Sequence, residues 1–121
     1  MLLVEDDRGV ARMLRFSLRE AGFEVNAVET GGAALEALSQ GSVQAVILDL
    51  GLPDGRGGEV LDLLKRQDRE KTAQRPVWLV VTAQEQQEVF KRHGPLGDHF
   101  LAKPFNPWDL VQRLEKLLPL P

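Results

Sequence analysis

Four short segments of this 121-residue sequence carry side chains suited to chemistry: Glu5-Asp6-Asp7, Asp49, Thr82 and Lys103, the last followed by Pro104. Each stands just past an apolar run. Clustered carboxylates repel one another unless a cation neutralises them, and an all-oxygen donor set with room for water suits Mg²⁺. Asp49 is then a candidate nucleophile, because an ionised carboxylate can attack a phosphoryl group without a separate general base. The metal, the Lys103 ammonium and the Thr82 hydroxyl would offset charge on the transferred oxygens.

Taken singly, these residues have plainer readings. Asp6 and Asp7 could cap a helix, where carboxylates satisfy free N–H groups. Asp49 could belong to the turn before Pro53-Asp54-Gly55. Lys103 could be a solvated surface lysine, Thr82 a strand residue and Phe100 ordinary core. His93 and His99 lack metal-ligand spacing, Trp78 reads as packing, and Trp108 reads as a cover for the start of the last helix.

What brings the four segments together is the order of the elements. Leu2-Leu3-Val4, Ala45 to Leu48 and Val77 to Val81 are apolar without alternation, as in parallel strands covered on both faces. Phe23 to Val28 alternates, and His99 to Ala102 makes a short fifth strand. Between them Val10, Met13, Leu14, Leu18 and Ala21 mark one helical face ending at Gly22. Ala33 to Leu38 forms a second helix, and Val60, Leu61 and Leu64 a third that frays from Arg66 onward. Gln84 to His93 is a fourth, anchored only by Val89 and Phe90. Leu110, Leu114, Leu117 and Leu118 give a fifth, opened by Asn106-Pro107. Strict βα alternation predicts a doubly wound parallel sheet with helices on both faces, and ligands of such sheets sit beyond the carboxyl ends of the strands.

In order and spacing, Leu2-Leu3-Val4-Glu5-Asp6-Asp7, Asp49-Leu50-Gly51-Leu52-Pro53-Asp54-Gly55, Thr82-Ala83 and Lys103-Pro104-Phe105 resemble the receiver domain of bacterial two-component response regulators, the CheY-like superfamily. The resemblance implies a flavodoxin-like (βα)5 three-layer sandwich of strand order 2-1-3-4-5 over residues 1–118, with 119–121 opening a linker. It makes Asp49 the phosphoacceptor and a Mg²⁺ ligand, Asp6 and Asp7 the other holders of Mg²⁺ (Asp7 directly), and the Gly51 carbonyl a further metal ligand. Thr82 and Lys103 would contact the phosphoryl group, and Thr82 and Phe100 would form the switch. The Lys103-Pro104 bond is typically cis in that family. Its members take phosphoryl groups from a sensor histidine kinase or phosphotransfer protein, and change partners or dimerise through the face of helix four, strand five and helix five. They regulate transcription through a separate output domain or act as stand-alone relays, and their own catalysis is limited to self-phosphorylation and slow dephosphorylation. Here Gly94 to Phe100 departs from the usual approach to strand five, and Phe100 lacks a tyrosine's hydroxyl.

Composition narrows the alternatives. The absence of cysteine excludes disulfides, thiol catalysis and cysteine-ligated metals. Fifteen basic against eighteen acidic side chains argue against direct nucleic-acid binding by this domain, and no apolar run is long enough for a membrane span. A cytoplasmic location is the expectation. A Mg²⁺-dependent phosphatase working through an aspartyl phosphate would want a general acid two residues after Asp49, where Gly51 stands. A flavin module would want a hydroxyl- and glycine-rich phosphate loop where Glu5-Asp6-Asp7 stands.

Overall fold

The computed structural model describes residues 1–118; the expected linker start at 119–121 lies outside them. The elements run β1 (Leu2–Val4), α1 (Arg8–Glu20), β2 (Asn26–Val28), α2 (Gly31–Ser39), β3 (Ala45–Leu48), α3 (Gly57–Arg69), β4 (Val77–Thr82), α4 (Gln86–His93), a 3-10 turn (Gly97–His99), β5 (Phe100–Ala102) and α5 (Pro107–Leu117). The strands form one parallel sheet in the order β2-β1-β3-β4-β5, the flavodoxin-like arrangement implied by the sequence. No helix among the described residues is long and apolar enough to cross a membrane.

The non-alternating strands are explained by two cores, one on each face. Side chains alternate across a strand, so β3 sends Val46 and Leu48 to one side and Ile47 to the other. With Leu2, Val4 and Val80, the first pair packs on Ala34 and Leu38 of α2, Val60, Leu61 and Leu64 of α3, and Val89 of α4. Ile47 joins Leu3, Leu79 and Val81 beneath Leu14 and Leu18 of α1 and Leu110, Val111 and Leu114 of α5. Because both faces are covered, neither set of alternate residues can be polar.

Boundaries depart from the sequence reading where side chains or backbone turns take over. Phe23 belongs to the end of α1 rather than to β2. Gly22 adopts φ +96°, and the Phe23 amide returns to the Leu18 carbonyl at 3.0 Å, closing the helix in a Schellman-like turn. The segment from Arg66, expected to fray, stays helical to Arg69, with Asp68 near its end accepting from the Trp78 indole N–H at 2.7 Å. Trp78 also stacks on His99, with ring centroids 4.2 Å apart. Trp108 is 65% exposed and covers little. Helix α4 starts at Gln86, because the Gln84 amide is taken by the Thr82 hydroxyl at 3.1 Å. Its one buried residue is Val89, in keeping with weak anchoring.

One close approach fixes how α3 leaves the sheet. A Cβ at Gly57 would lie 2.7 Å from the Leu50 carbonyl oxygen and 3.0 Å from its Cα, so backbone rather than a flexible side chain fills the space. Gly57→Ala should therefore destabilise the fold by about 1–3 kcal/mol, the usual cost of overpacking, despite alanine's better helix propensity. Urea denaturation checks this; an unchanged or raised midpoint would contradict the contact.

Candidate functional site

The parallel ladder continues one residue past several strands, and those residues carry the chemistry. The Glu5 amide bonds the Val28 carbonyl, the Asp49 amide the Val4 carbonyl, and the Lys103 amide the Thr82 carbonyl, all at 2.9–3.0 Å. Glu5, Asp49 and Lys103 are thus held by backbone hydrogen bonds at the carboxyl edge of the sheet. Glu5 is 2%, Asp49 7% and Thr82 1% exposed, and no other polar residue among those described is as buried. Burying a carboxylate costs several kcal/mol unless it is paired.

Lys103 supplies the pairing. Its Nζ donates to Glu5 Oε1 at 2.5 Å and to Asp49 Oδ2 at 3.3 Å. Asp49 Oδ1 accepts from the Gly51 amide at 3.1 Å, and Glu5 Oε2 from the Asp7 amide at 3.3 Å. Burial raises the Glu5 carboxyl above its ordinary value. The Lys103 hydrogen bond opposes that rise without cancelling it, and the Asp49 charge adds to it. Burial by itself would lower Lys103, but the hydrogen bond to Glu5 and the charges of Asp49 and Glu5 prevail and leave it raised. The arrangement favours the cation and strains the anion.

That strain is a reason for a further cation. Glu5, Asp6 and Asp49 each bring a carboxylate oxygen within 4.8 Å of the others. Hard carboxylate oxygens converging in this way fit Mg²⁺ better than softer metals. The family resemblance implies Asp6 and Asp7 as the Mg²⁺ holders, Asp7 directly. Here Asp6 converges with Glu5 and Asp49, while Asp7 is the N-cap of α1, its Oδ1 accepting from the Val10 amide at 3.1 Å. The plainer reading of Asp7 as a cap matches its geometry, and Glu5 takes the inward place. Three carboxylates in a row do not reveal which one points inward. The signal that could have done so is Glu5's position directly behind buried Val4, before the helix begins.

Thr82 ends β4, and its hydroxyl accepts from the Gln84 amide. A Cβ at Gly51 would lie 3.8 Å from both Gln84 Nε2 and Asp49 Oδ1, so the β3–α3 loop meets the β4–α4 loop beside the carboxylate. The Lys103-Pro104 bond is cis. Phe100 is buried and meets Phe90 of α4 edge to face, centroids 5.4 Å apart, a contact not visible in the sequence.

Residues 1–115 match the model of the response regulator receiver domain family. The chain is 37% identical over 119 residues to the transcriptional regulatory protein QseB of Escherichia coli O157:H7, covering 98% of this chain and 52% of that protein. It is 29% identical over 118 residues to the phosphate regulon transcriptional regulatory protein PhoB of Klebsiella pneumoniae, covering 98% and 51%. The chain spans about half the length of these relatives. Among solved structures, the response regulator TrrA of Thermotoga maritima, crystallised with Mg²⁺ and BeF, superposes with a TM-score of 0.78 at 26% identity, covering 97% of this chain and 96% of that one.

Proposed function

The chain belongs to the response regulator receiver domain family, and on that premise we propose that Asp49 accepts a phosphoryl group from the phosphohistidine of a sensor kinase or phosphotransfer protein. The observation that carries this reading is the buried Asp49 carboxylate, with Lys103 on one oxygen and the Gly51 amide on the other. An Asp49 oxygen attacks phosphorus and a new O–P bond forms. The P–N bond breaks, its electron pair stays on the imidazole nitrogen, and that nitrogen takes up a proton. Lys103 balances the charge of the incoming group from a fixed position, which lowers the barrier without reorganisation.

Glu5, Asp6 and Asp49, with the Gly51 carbonyl, would hold Mg²⁺, which when bound supplies further positive charge for the phosphoryl oxygens. Asp7 serves by capping α1 and so aligning the turn that carries Glu5 and Asp6. Receiver domains are signalling phosphoacceptors rather than turnover enzymes, and Gly51 offers no acid for rapid hydrolysis. Thr82, buried at the end of β4, turns its hydroxyl from the Gln84 amide toward the new phosphoryl oxygens. Phe100 and the Phe90 contact relay that change to α4. The response is altered partner binding or dimerisation through α4, β5 and α5, by ring repacking alone.

The relatives are named as transcriptional regulators about twice as long as this chain, which supports transcriptional control through an output domain; a cytoplasmic location belongs to the same reading. Intact mass spectrometry after incubation with acetyl phosphate and Mg²⁺ tests the reading: a single phosphoryl adduct is expected, and its absence overturns it. Separately, millimolar Mg²⁺ should raise the melting temperature by binding the folded carboxylate cluster. A flat Mg²⁺ titration would mean the cluster is not an assembled site.

A further inference from the structure

The loop between β3 and α3 carries Asp49 and Gly51, yet its far half is tied to a helix that contributes no residue to the site. Asp54 Oδ1 accepts from the Gly31 amide at 3.1 Å and Oδ2 from the Gly32 amide at 2.9 Å. These amides open α2, more than twenty residues earlier in the chain. The same Oδ1 takes the Arg56 amide at 3.2 Å. One carboxylate thus serves three backbone donors, two of them free N–H groups of a helix start. The hydrogen bond from Gly32 leads the effects that hold the Asp54 carboxyl below its ordinary range.

Helix α2 already has a local cap, because Thr30 Oγ1 accepts from the Ala33 amide at 3.1 Å. Asp54 is a second cap, and of the two it is the one that joins the helix to the loop. The two backbones meet there without room for a side chain: a Cβ on Gly31 would lie 2.6 Å from Arg56 Cβ and 2.8 Å from its carbonyl carbon. Toward the sheet the loop is held by the burial of Leu50 and Leu52 and by the Gly51 amide on Asp49. Gly51 therefore sits between two buried anchors, with the Asp54 clamp two residues beyond the second. A backbone carbonyl offered to a cation has no rotamers of its own, so only the parts that hold its loop can place it.

We propose that Asp54 is a positioning residue: by clamping the β3–α3 loop to the N-terminus of α2 it fixes the backbone at Gly51 for divalent-cation binding beside Asp49. The inference rests on the phosphoacceptor reading, with Gly51 as a metal ligand, and extends it to a residue outside the carboxylate cluster. Groups that hold metal ligands in place typically change affinity by about 10- to 100-fold when removed.

The test is calorimetric Mg²⁺ titration together with thermal denaturation of the chain and of Asp54→Ala, Asp54→Asn and Thr30→Ala. Asp54→Ala and Thr30→Ala each strip a cap from the same helix start and should both lower the melting temperature. Only Asp54→Ala should weaken Mg²⁺ binding, by on the order of tenfold or more. Asp54→Asn keeps one acceptor oxygen and should fall between it and the parent. Unchanged affinity in Asp54→Ala, or an equal loss in Thr30→Ala, overturns the clamp while leaving the phosphoacceptor reading intact. A parent chain that binds no Mg²⁺ overturns both.

Discussion

Asp49→Asn is expected to abolish the acetyl phosphate adduct and to weaken Mg²⁺ binding, while leaving the fold at least as stable as the parent in Mg²⁺-free buffer. The amide has lost the negative charge and the nucleophilic electron density that attack requires. It also removes one of the three carboxylates that converge at the edge of the sheet. The stability argument runs the other way. The Asp49 charge is one of the causes that push buried Glu5 upward, so removing it relieves repulsion, and Lys103 keeps its shorter contact with Glu5. Intact mass spectrometry and urea denaturation, each with and without Mg²⁺, separate these effects. An adduct surviving in the variant would place the phosphoacceptor elsewhere, and a large loss of stability would mean that Asp49 is principally structural.

Lys103→Met should have the largest effect on the fold itself. Glu5 and Asp49 share this lysine, and their side chains are 1% and 10% exposed, so its loss leaves buried carboxylates without a counter-charge. Breaking a buried pair from one side costs about 3–5 kcal/mol. Phosphorylation of the surviving protein should slow by about 10²–10³, as when one fixed donor to a developing charge is removed. Two compensations identify the cause. Adding Glu5→Gln should recover most of the stability, because a neutral amide carries no charge to bury, and Mg²⁺ should recover part.

The pH dependence has a definite sign. Glu5 is raised in the folded state, so the native protein binds the proton more tightly than the unfolded chain does. The penalty for its ionised form is therefore absent below the unfolded value of 4.5 and grows as the pH climbs from there through the folded value. Without Lys103 the folded value moves further up and the penalty deepens. The deficit of Lys103→Met should shrink as acid is added. Denaturation profiles of both proteins would show it, and a deficit independent of pH would point to lost packing of the lysine stem instead.

Much of this was legible in the chain because parallel strands covered on both faces leave an unmistakable mark. Val46-Ile47-Leu48 and Leu79-Val80-Val81 could be nothing half-exposed, and the residues behind them had to lie at one edge of the sheet. Asp49, Thr82 and Lys103 could be placed by that argument. Glu5 could not be told from Asp7, because the choice depends on where the backbone ladder stops and α1 starts, a matter of a single residue. Asp54 read as a turn former because its two helix partners lie in a segment more than twenty residues away. Asp68 and Trp78 lie ten residues apart on different elements, so periodicity could mark α3 but could not show what fixes its last turn.

The Lys103–Glu5 contact joins residues 98 apart in sequence. Closing so long a loop carries an entropic cost that grows only slowly with its length, and contacts of such separation slow folding. During synthesis the ribosome releases Glu5, Asp6 and Asp49 long before Lys103 emerges. Until β5 docks on the far edge, any sheet already assembled carries an acidic cluster without its fixed counter-charge. Charge neutralisation is thus completed by the last strand, so a nascent chain arrested before residue 103 holds every carboxylate of the site and none of its poise. The fixed counter-charge of the cluster and completion of the sheet arrive together.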